Sequence, residues 1–266
     1  MSRLSHVLWE SIQDPHRAWK RASNPIRALI GHGDYAKFIV LSTARTGSNL
    51  LLSLLESHPQ IYVRGEILAK LEGRDPVRVL SGIWRRQPRS VRAAGFKIFY
   101  YHPIDDKSNR IWEMLAQMED LHVVHLKRRN KLRTLVSEKL AHKTHNWKGT
   151  NVGAQIEGNG KSVTISIDLL TKEIEQIEKW ELNGDNIFAA SHMITVWYED
   201  LVRDPETEIR KITDFLHVQP HVPKTFLKKQ NPEPLRTLLT NYDELQSAML
   251  GTKWSVFFQD REQSTE

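Results

Sequence analysis

A short polar segment, residues 42–49 with the sequence STARTGSN, carries side chains well suited to binding an anion. Arg45 supplies a planar cation that binds phosphate or sulfate with two parallel hydrogen bonds, and the hydroxyls of Thr46 and Ser48 add donors. Gly47 lets the backbone approach a bound group closely. Since a helical pattern follows, backbone N–H groups and the helix dipole would favour an anion at the same place. We therefore predict a phosphate- or sulfate-binding loop; the alternative is a small polar turn in which Ser48 caps the helix.

Composition narrows the class of protein further. The chain has 266 residues, a formal net charge of +6 and no cysteine, and its pI is about 9.4. The positive charge favours an anionic partner, either a nucleotide, a polyanion, nucleic acid or a membrane surface. The absence of cysteine excludes disulfides, thiolate catalysis and Cys-ligated zinc. No apolar run is long enough to span a bilayer and residues 1–9 lack the apolar core of a signal peptide, so we expect a cytoplasmic location.

Apolar runs alternate with helical patterns along most of the chain. Runs typical of buried strands lie at residues 38–41, 61–63, 95–99, 122–126 and 193–197. Helical spacing of apolar residues lies at 47–58, 105–118, 130–140, 168–177 and 205–216, with Asp168 as the expected N-cap of the fourth helix. This alternation predicts an α/β domain with a central parallel sheet of about five strands and helices on both faces. Residues 1–35 carry one apolar stripe and predict a helical extension that precedes a domain over residues 36–266.

Several blocks of the sequence resemble PAPS-dependent sulfotransferases, where PAPS is 3′-phosphoadenosine 5′-phosphosulfate. The segment VVHLKRRN at residues 123–130, followed by a helix that bears Ser137, resembles the 3′-phosphate motif of that family, and residues 42–49 resemble its 5′-phosphosulfate loop. The stretch WYEDLV at residues 197–202 resembles the family's YEDL block. RGEIL at 64–68, GFKI at 95–98 and blocks between residues 227 and 252 resemble bacterial nodulation-factor and lipopolysaccharide sulfotransferases. The blocks follow one another in order from about residue 38 to residue 258, and they imply a P-loop-like fold.

The resemblance implies the ligands and the residues that bind them. PAPS would be the co-substrate and PAP the product, no metal would be needed, and the acceptor would be a hydroxyl of a glycan or glycolipid. The implied contacts to the nucleotide are Arg45, Thr46, Gly47, Ser48 and Asn49 in the loop, Arg129 and Ser137 at the 3′-phosphate, and Lys228 or Lys229 in a C-terminal loop. Neither nucleic acid nor an integral membrane segment is expected, whereas peripheral membrane contact and the oligomeric state stay open.

Sulfuryl transfer needs in-line geometry, stabilised oxygens and a base for the attacking hydroxyl. Arg45 would hold the phosphosulfate and offset charge on the bridging oxygen, and Lys97 would assist at the sulfate. Cytosolic relatives use a histidine as the base at the position that Phe99 occupies here, so this chain lacks that histidine. Carbohydrate-modifying relatives use a carboxylate instead, and Glu66 matches that position. His102 is the alternative base.

Two positions and two rival functions stay open from the sequence. Leu50 replaces the tryptophan with which many relatives stack adenine, so the stacking residue is unassigned. The stretch from His142 to Gly160 favours an acceptor-binding loop, with Trp147 stacking on a sugar, over a metal site. A kinase for a small metabolite would need a Walker lysine, but the G-x-x-x-x-G-K-[ST] pattern that contains this lysine is missing from the sequence. The other rival is a relative that binds a nucleotide but does not catalyse transfer. The presence of Glu66 beside Arg45 argues against this reading.

Overall fold

The computed structural model describes residues 31–144, 161–227 and 231–259. The strands are β1 (Ala36–Ser42), β2 (Ile61–Arg64), β3 (Ala93–Phe99), β4 (Leu121–Lys127) and β5 (His192–Trp197). The helices are α1 (Ser48–Glu56), α2 (Pro76–Ile83), α3 (Arg110–Ala116), α4 (Lys131–Thr144), α5 (Ile167–Ile187), α6 (Tyr198–Arg203), α7 (Pro205–Phe215), α8 (Leu235–Leu238) and α9 (Tyr242–Met249), followed by a 3₁₀ turn at Ser255–Phe258. Residues 1–30 of the predicted N-terminal helical extension lie outside the described residues.

The five strands form one parallel sheet in the order β2-β3-β1-β4-β5. β1 lies at the centre, where Phe38 pairs with Gly95 on β3 and with His122 on β4. A β-carbon on residue 95 would lie 2.1 Å from the Phe38 carbonyl oxygen, so only glycine allows the two strands to come this close. The structure confirms the predicted α/β class with a five-stranded parallel sheet and flanking helices.

Alternate residues of β1 face opposite layers of the molecule. Phe38 and Val40 pack against α1 and α7, whereas Ile39 and Leu41 pack against α3 and the far side of β3. All four side chains are fully buried. Burying a side chain of this size contributes about 1.5–3 kcal/mol, so the central strand is strongly held and its carboxyl end is a rigid base for the loop that follows.

A second helical layer packs beside the sheet. Apolar side chains of α4, α5, α8 and α9 form a continuous buried cluster that includes Leu135, Ile174 and Leu245. This packing fixes α4 beside the carboxyl ends of the strands, where a parallel sheet binds its ligands.

Two helix starts differ from the sequence prediction. α5 is capped by Ser166, whose side chain accepts a hydrogen bond from the Leu169 amide, while Asp168 lies in the first turn. α3 begins at Arg110 rather than near residue 105. Asp105 instead accepts the backbone amides of residues 71 and 72 at 2.8 Å, so it holds a distant loop and does not start the helix.

Candidate active site

The loop between β1 and α1 has a strained backbone. Arg45 adopts φ 63° and Gly47 adopts φ 90°, in the left-handed region that most residues avoid. The Thr46 hydroxyl donates to the Thr43 carbonyl oxygen at 2.7 Å and closes the turn. Gly47 is the N-cap of α1 and no side chain caps the helix, so Ser48 does not serve as a cap. No acidic residue lies in the first turn of α1, and the positive end of its dipole faces the loop without a competing carboxylate.

A cavity of about 340 Å³ opens beside this loop. That volume lies within the usual range for small-molecule sites. The lining comes from the loop and α1 (Arg45, Gly47, Ser48, Asn49, Leu50, Leu54), from the β4–α4 region (Arg128, Arg133, Val136, Ser137), from the region after β5 (Tyr198, Leu201, Val202, Pro205) and from the C-terminal part (Thr225, Leu227, Asn231, Leu235, Leu238). Because arginines and apolar side chains both line it, the cavity is suitable for a ligand with both phosphate and aromatic parts.

Arg45 links the loop to α4. Its Nε donates to the Ser137 hydroxyl at 3.0 Å, and the same hydroxyl accepts from Asn231 Nδ2 at 3.2 Å. Burial lowers the pKa of Arg45, and the neighbouring Arg128 lowers it further. A guanidinium keeps its charge despite such shifts, so two close arginines concentrate positive charge at the cavity.

Arg128, rather than Arg129, lies in the cavity lining. Arg128 is buried, donates to the Arg45 carbonyl oxygen at 3.1 Å and lies 4.5 Å from the centre of the Tyr198 ring. Arg129 instead makes a bidentate ion pair with Asp200 at 2.7 and 3.0 Å and stacks on Trp197. The side chain of Arg129 is 49% exposed, and its pKa is raised by the hydrogen bonds to Asp200. The structure therefore does not bring Arg129 to the cavity, although it brings Ser137 there.

Glu66 and Lys97 come together at the edge of the loop. The Lys97 side chain is 3% exposed, and its Nζ lies 2.9 Å from Glu66 Oε1. The same ammonium donates to Asn49 Oδ1 at 2.8 Å and to the Ser48 hydroxyl at 3.3 Å. The Glu66 side chain remains 40% exposed. One buried lysine thus joins the predicted carboxylate to two predicted loop residues, and the carboxylate stays accessible to an incoming hydroxyl.

His102 lies close to this pair but is poorly placed to act as a base. It is buried, and its Nδ1 accepts the Phe99 amide at 3.2 Å. Burial lowers the pKa of His102 to about 4, with a smaller lowering by Lys97 and an opposing effect of Glu66. An imidazole of this pKa is a weak acceptor of protons at neutral pH.

The YEDL block contributes capping and also one cavity residue. The Glu199 carboxylate accepts the backbone amides of Arg129 and Asn130 at 3.0 and 3.1 Å, at the start of α4. Tyr198 lines the cavity, although the sequence did not indicate it as a site residue. Arg133 and Asn231 were missed as well. Asn231 lies among the C-terminal blocks between residues 227 and 252 that resemble bacterial sulfotransferases. No local pattern distinguishes Arg133 from a surface residue.

The remaining predicted residues lie elsewhere. Lys228, Lys229 and Trp147 fall outside the described residues. Among the residues that the structure describes, no group of three or more His, Cys, Asp or Glu side chains could hold a metal ion. Within the same part of the chain, no helix combines the length and apolarity needed to cross a bilayer.

This chain is similar to one protein family and to curated proteins. The model of a family described as "Sulfotransferase family" matches residues 107–221. Nodulation protein H of Rhizobium tropici is 25% identical over 240 residues, which cover 84% of this chain and 92% of that protein. Nodulation protein H of Rhizobium meliloti is also 25% identical, over 239 residues that cover 84% of this chain and 94% of the relative.

Solved structures show a more distant similarity. A sulfotransferase from Alicyclobacillus acidocaldarius aligns with TM-score 0.46 and 18% identity, covering 79% of this chain and 90% of that one. Mouse sulfotransferase SULT7A1, solved in complex with PAP, aligns with TM-score 0.40 and 14% identity, covering 72% and 61% respectively.

Proposed function

We propose that this protein is a PAPS-dependent sulfotransferase that transfers the sulfuryl group to a hydroxyl of a carbohydrate or glycolipid, with Glu66 as the base. One observation carries this proposal: the buried Lys97 ammonium contacts Glu66 on one side and Ser48 and Asn49 of the loop on the other. A carboxylate is thereby held next to the place where the loop would present the sulfuryl group. The catalytic domain that we assign spans residues 36–266.

The cavity accounts for the binding of the donor. Backbone amides at the start of α1 and the Arg45 guanidinium would hold the phosphosulfate. Arg128 and Ser137 would bind the 3′-phosphate. Arg128 is proposed in place of Arg129 because, of these two arginines, only Arg128 lines the cavity. The apolar part of the lining, including Leu50 and Leu201, would receive the adenosine.

The reaction follows from these positions. The Glu66 carboxylate accepts the proton of the acceptor hydroxyl while the hydroxyl oxygen forms a bond to sulfur. The bond between sulfur and the bridging oxygen of the 5′-phosphate breaks, and PAP leaves with the electron pair. Arg45 and the loop amides stabilise the charge that grows on the bridging oxygen, and Lys97 stabilises the sulfuryl oxygens. Holding both reactants in line supplies a large part of the rate enhancement.

The acceptor class rests on the carboxylate and on the resemblance to carbohydrate-modifying relatives. Glu66 is partly exposed, so a bulky acceptor can bring one hydroxyl to it from the solvent side. The position where cytosolic relatives carry a basic histidine is occupied by Phe99, which is buried.

Transfer of radiolabelled sulfate from PAPS to a panel of acceptors tests the proposal. The panel contains soluble oligosaccharides, lipopolysaccharide fragments, glycolipids and p-nitrophenol. Arg45→Ala should lower turnover roughly 10²–10³-fold, the usual effect of losing one preorganised charge stabiliser, whereas the exposed Arg89→Ala serves as a matched control. Labelling of p-nitrophenol alone would contradict the carbohydrate acceptor. Calorimetric binding of ATP and ADP in preference to PAP would favour a kinase instead.

A further inference from the structure

We propose that Tyr101 and Trp180 form an aromatic platform that binds one saccharide ring of the acceptor, with the carboxylates of Glu66 and Glu138 nearby. This inference rests on the proposed transfer to a carbohydrate, and it identifies the surface that would bind the carbohydrate acceptor. Neither aromatic residue is used in binding the donor, since both lie outside the lining of the nucleotide cavity.

Tyr101 lies at the edge of the phosphosulfate loop. It lies two residues after the end of β3, its side chain is partly exposed, and its hydroxyl interacts with the Thr43 side chain and the Ala44 backbone. Its ring centre lies 5.6 Å from that of Phe99, over which the Lys97 ammonium sits at 5.0 Å. The exposed ring is therefore next to the groups that would carry out the transfer.

Trp180 extends this surface away from the loop. Its ring lies 5.4 Å from the Tyr101 ring, inclined by 50°, and 6.3 Å from the Tyr100 ring in a stacked arrangement. Trp180 is only partly buried, on helix α5. The two rings together present a continuous apolar wall of the kind that packs against a sugar ring.

A buried hydrogen-bond chain holds the wall in place. The Tyr100 hydroxyl donates to His125 Nε2 at 2.7 Å, and His125 Nδ1 donates to Asp185 at 3.0 Å. Burial, with a smaller contribution from Lys127, lowers the pKa of His125 to about 4, so the ring is neutral, and its proton faces the Asp185 carboxylate. Lys127 also binds both Asp185 oxygens, at 2.7 and 2.8 Å. The transfer itself uses none of these groups, and they fix the Tyr100 ring against which Trp180 stacks.

The groups around the platform suit a polyhydroxylated ring. Burial, with smaller contributions from the nearby Glu138 and Glu66, raises the pKa of Tyr101 to about 12, so the phenol stays neutral. Aromatic faces pack against the C–H faces of a pyranose, and carboxylates accept hydrogen bonds from its hydroxyls. The geometry therefore points to a sugar ring next to the hydroxyl that is sulfated.

The test compares Trp180→Leu and Tyr101→Ala with Leu182→Ala. Leu182 is 61% exposed on the same helix, two positions beyond Trp180, and therefore on a different face. Chitotetraose, cellotetraose and maltotetraose serve as probes, and saturation-transfer NMR with the PAP-loaded protein reports their binding. Both platform variants should lose about tenfold or more in saccharide affinity, whereas the PAP affinity of Trp180→Leu and both affinities of Leu182→Ala stay near wild type.

The outcomes separate this inference from the proposed function. Unchanged saccharide binding in both platform variants would overturn the platform even if sulfate is transferred to sugars. An equal loss in Leu182→Ala would assign the effect to packing of α5 and would also overturn it. Loss of binding in the platform variants alone, with no sulfate transferred to any saccharide, would support the platform while the proposed reaction fails.

Discussion

The ring of Tyr198 lies across Gly47 so closely that a β-carbon on residue 47 would come within 2.2 Å of it. Arg128 stacks on the same tyrosine at 4.5 Å. Tyr198 therefore packs both against the loop between β1 and α1 and against Arg128, although it comes from the region after β5. The three residues position the cationic side of the cavity as a unit.

Replacing Gly47 by alanine should disrupt this unit. The new β-carbon meets the Tyr198 ring, and alanine must also adopt φ +90°, which costs of order 1–2 kcal/mol. We expect PAP affinity, measured by calorimetry, to fall at least tenfold. Because part of the loss is a clash with Tyr198, the double variant with Tyr198→Ala should lose less than the sum of the two single variants. Strictly additive losses would show that the close approach has no energetic effect.

Arg128 and Arg129 should differ in how they affect binding of the 3′-phosphate. Arg128→Ala removes a buried cation from the cavity, so PAP binding should weaken about 10–100-fold while AMP, which lacks the 3′-phosphate, is affected less. Arg129→Ala breaks the pair with Asp200 and should change both affinities only slightly. The measurement is calorimetric titration of each variant with both nucleotides. A larger and PAP-specific loss in Arg129→Ala would restore the assignment made from the sequence motif.

The difference between these two arginines shows what the sequence could and could not predict. The apolar run of β4 and the helix that follows it were predictable from local patterns, as were the loop and the sheet. Which side chain enters the cavity depends on the turn between strand and helix. That turn is held by Glu199, which is 70 residues away in the chain and accepts the Arg129 amide. No local pattern reports such a contact.

The same reasoning applies to Glu66 and Lys97. Glu66 and Lys97 were singled out separately by family resemblance, and composition or periodicity gave no reason to place them together. Their 2.9 Å contact results from the pairing of β2 with β3, in which Arg64 lies opposite Phe96. Helix α2 was not predicted, although Asp75 before Pro76 is a recognisable N-cap followed by a first-turn proline.

Two buried histidines should make the folded protein sensitive to acid. The pKa values of His102 and His125 are both lowered from 6.5 to about 4, chiefly by burial. Between these values the unfolded chain binds protons that the folded chain does not, so the free energy of unfolding should fall as the pH drops from 6.5 towards 4. Urea denaturation at pH 7.5, 6.0 and 5.0 measures this dependence. The His125→Gln variant should show a shallower slope with pH, and an unchanged slope would rule out His125 as a contributor.

Glu66→Gln provides the sharpest test of the mechanism. Glutamine keeps an oxygen acceptor for the Lys97 ammonium that lies 2.9 Å away, so shape and donor affinity should be preserved while the base is removed. General-base assistance typically contributes roughly 10²–10⁴-fold, and kcat should fall by that order with PAP affinity nearly unchanged. Glu175→Gln, an exposed carboxylate on α5, is the matched control.

The competing base is tested in the same series. His102→Gln removes an imidazole whose Nδ1 already accepts the Phe99 amide and whose pKa is about 4, so its effect on kcat should be small at neutral pH. If His102→Gln abolishes turnover while Glu66→Gln leaves it intact, the carboxylate is not the base. The Glu66–Lys97 pair would then only position the loop, because the lysine would still hold Ser48 and Asn49.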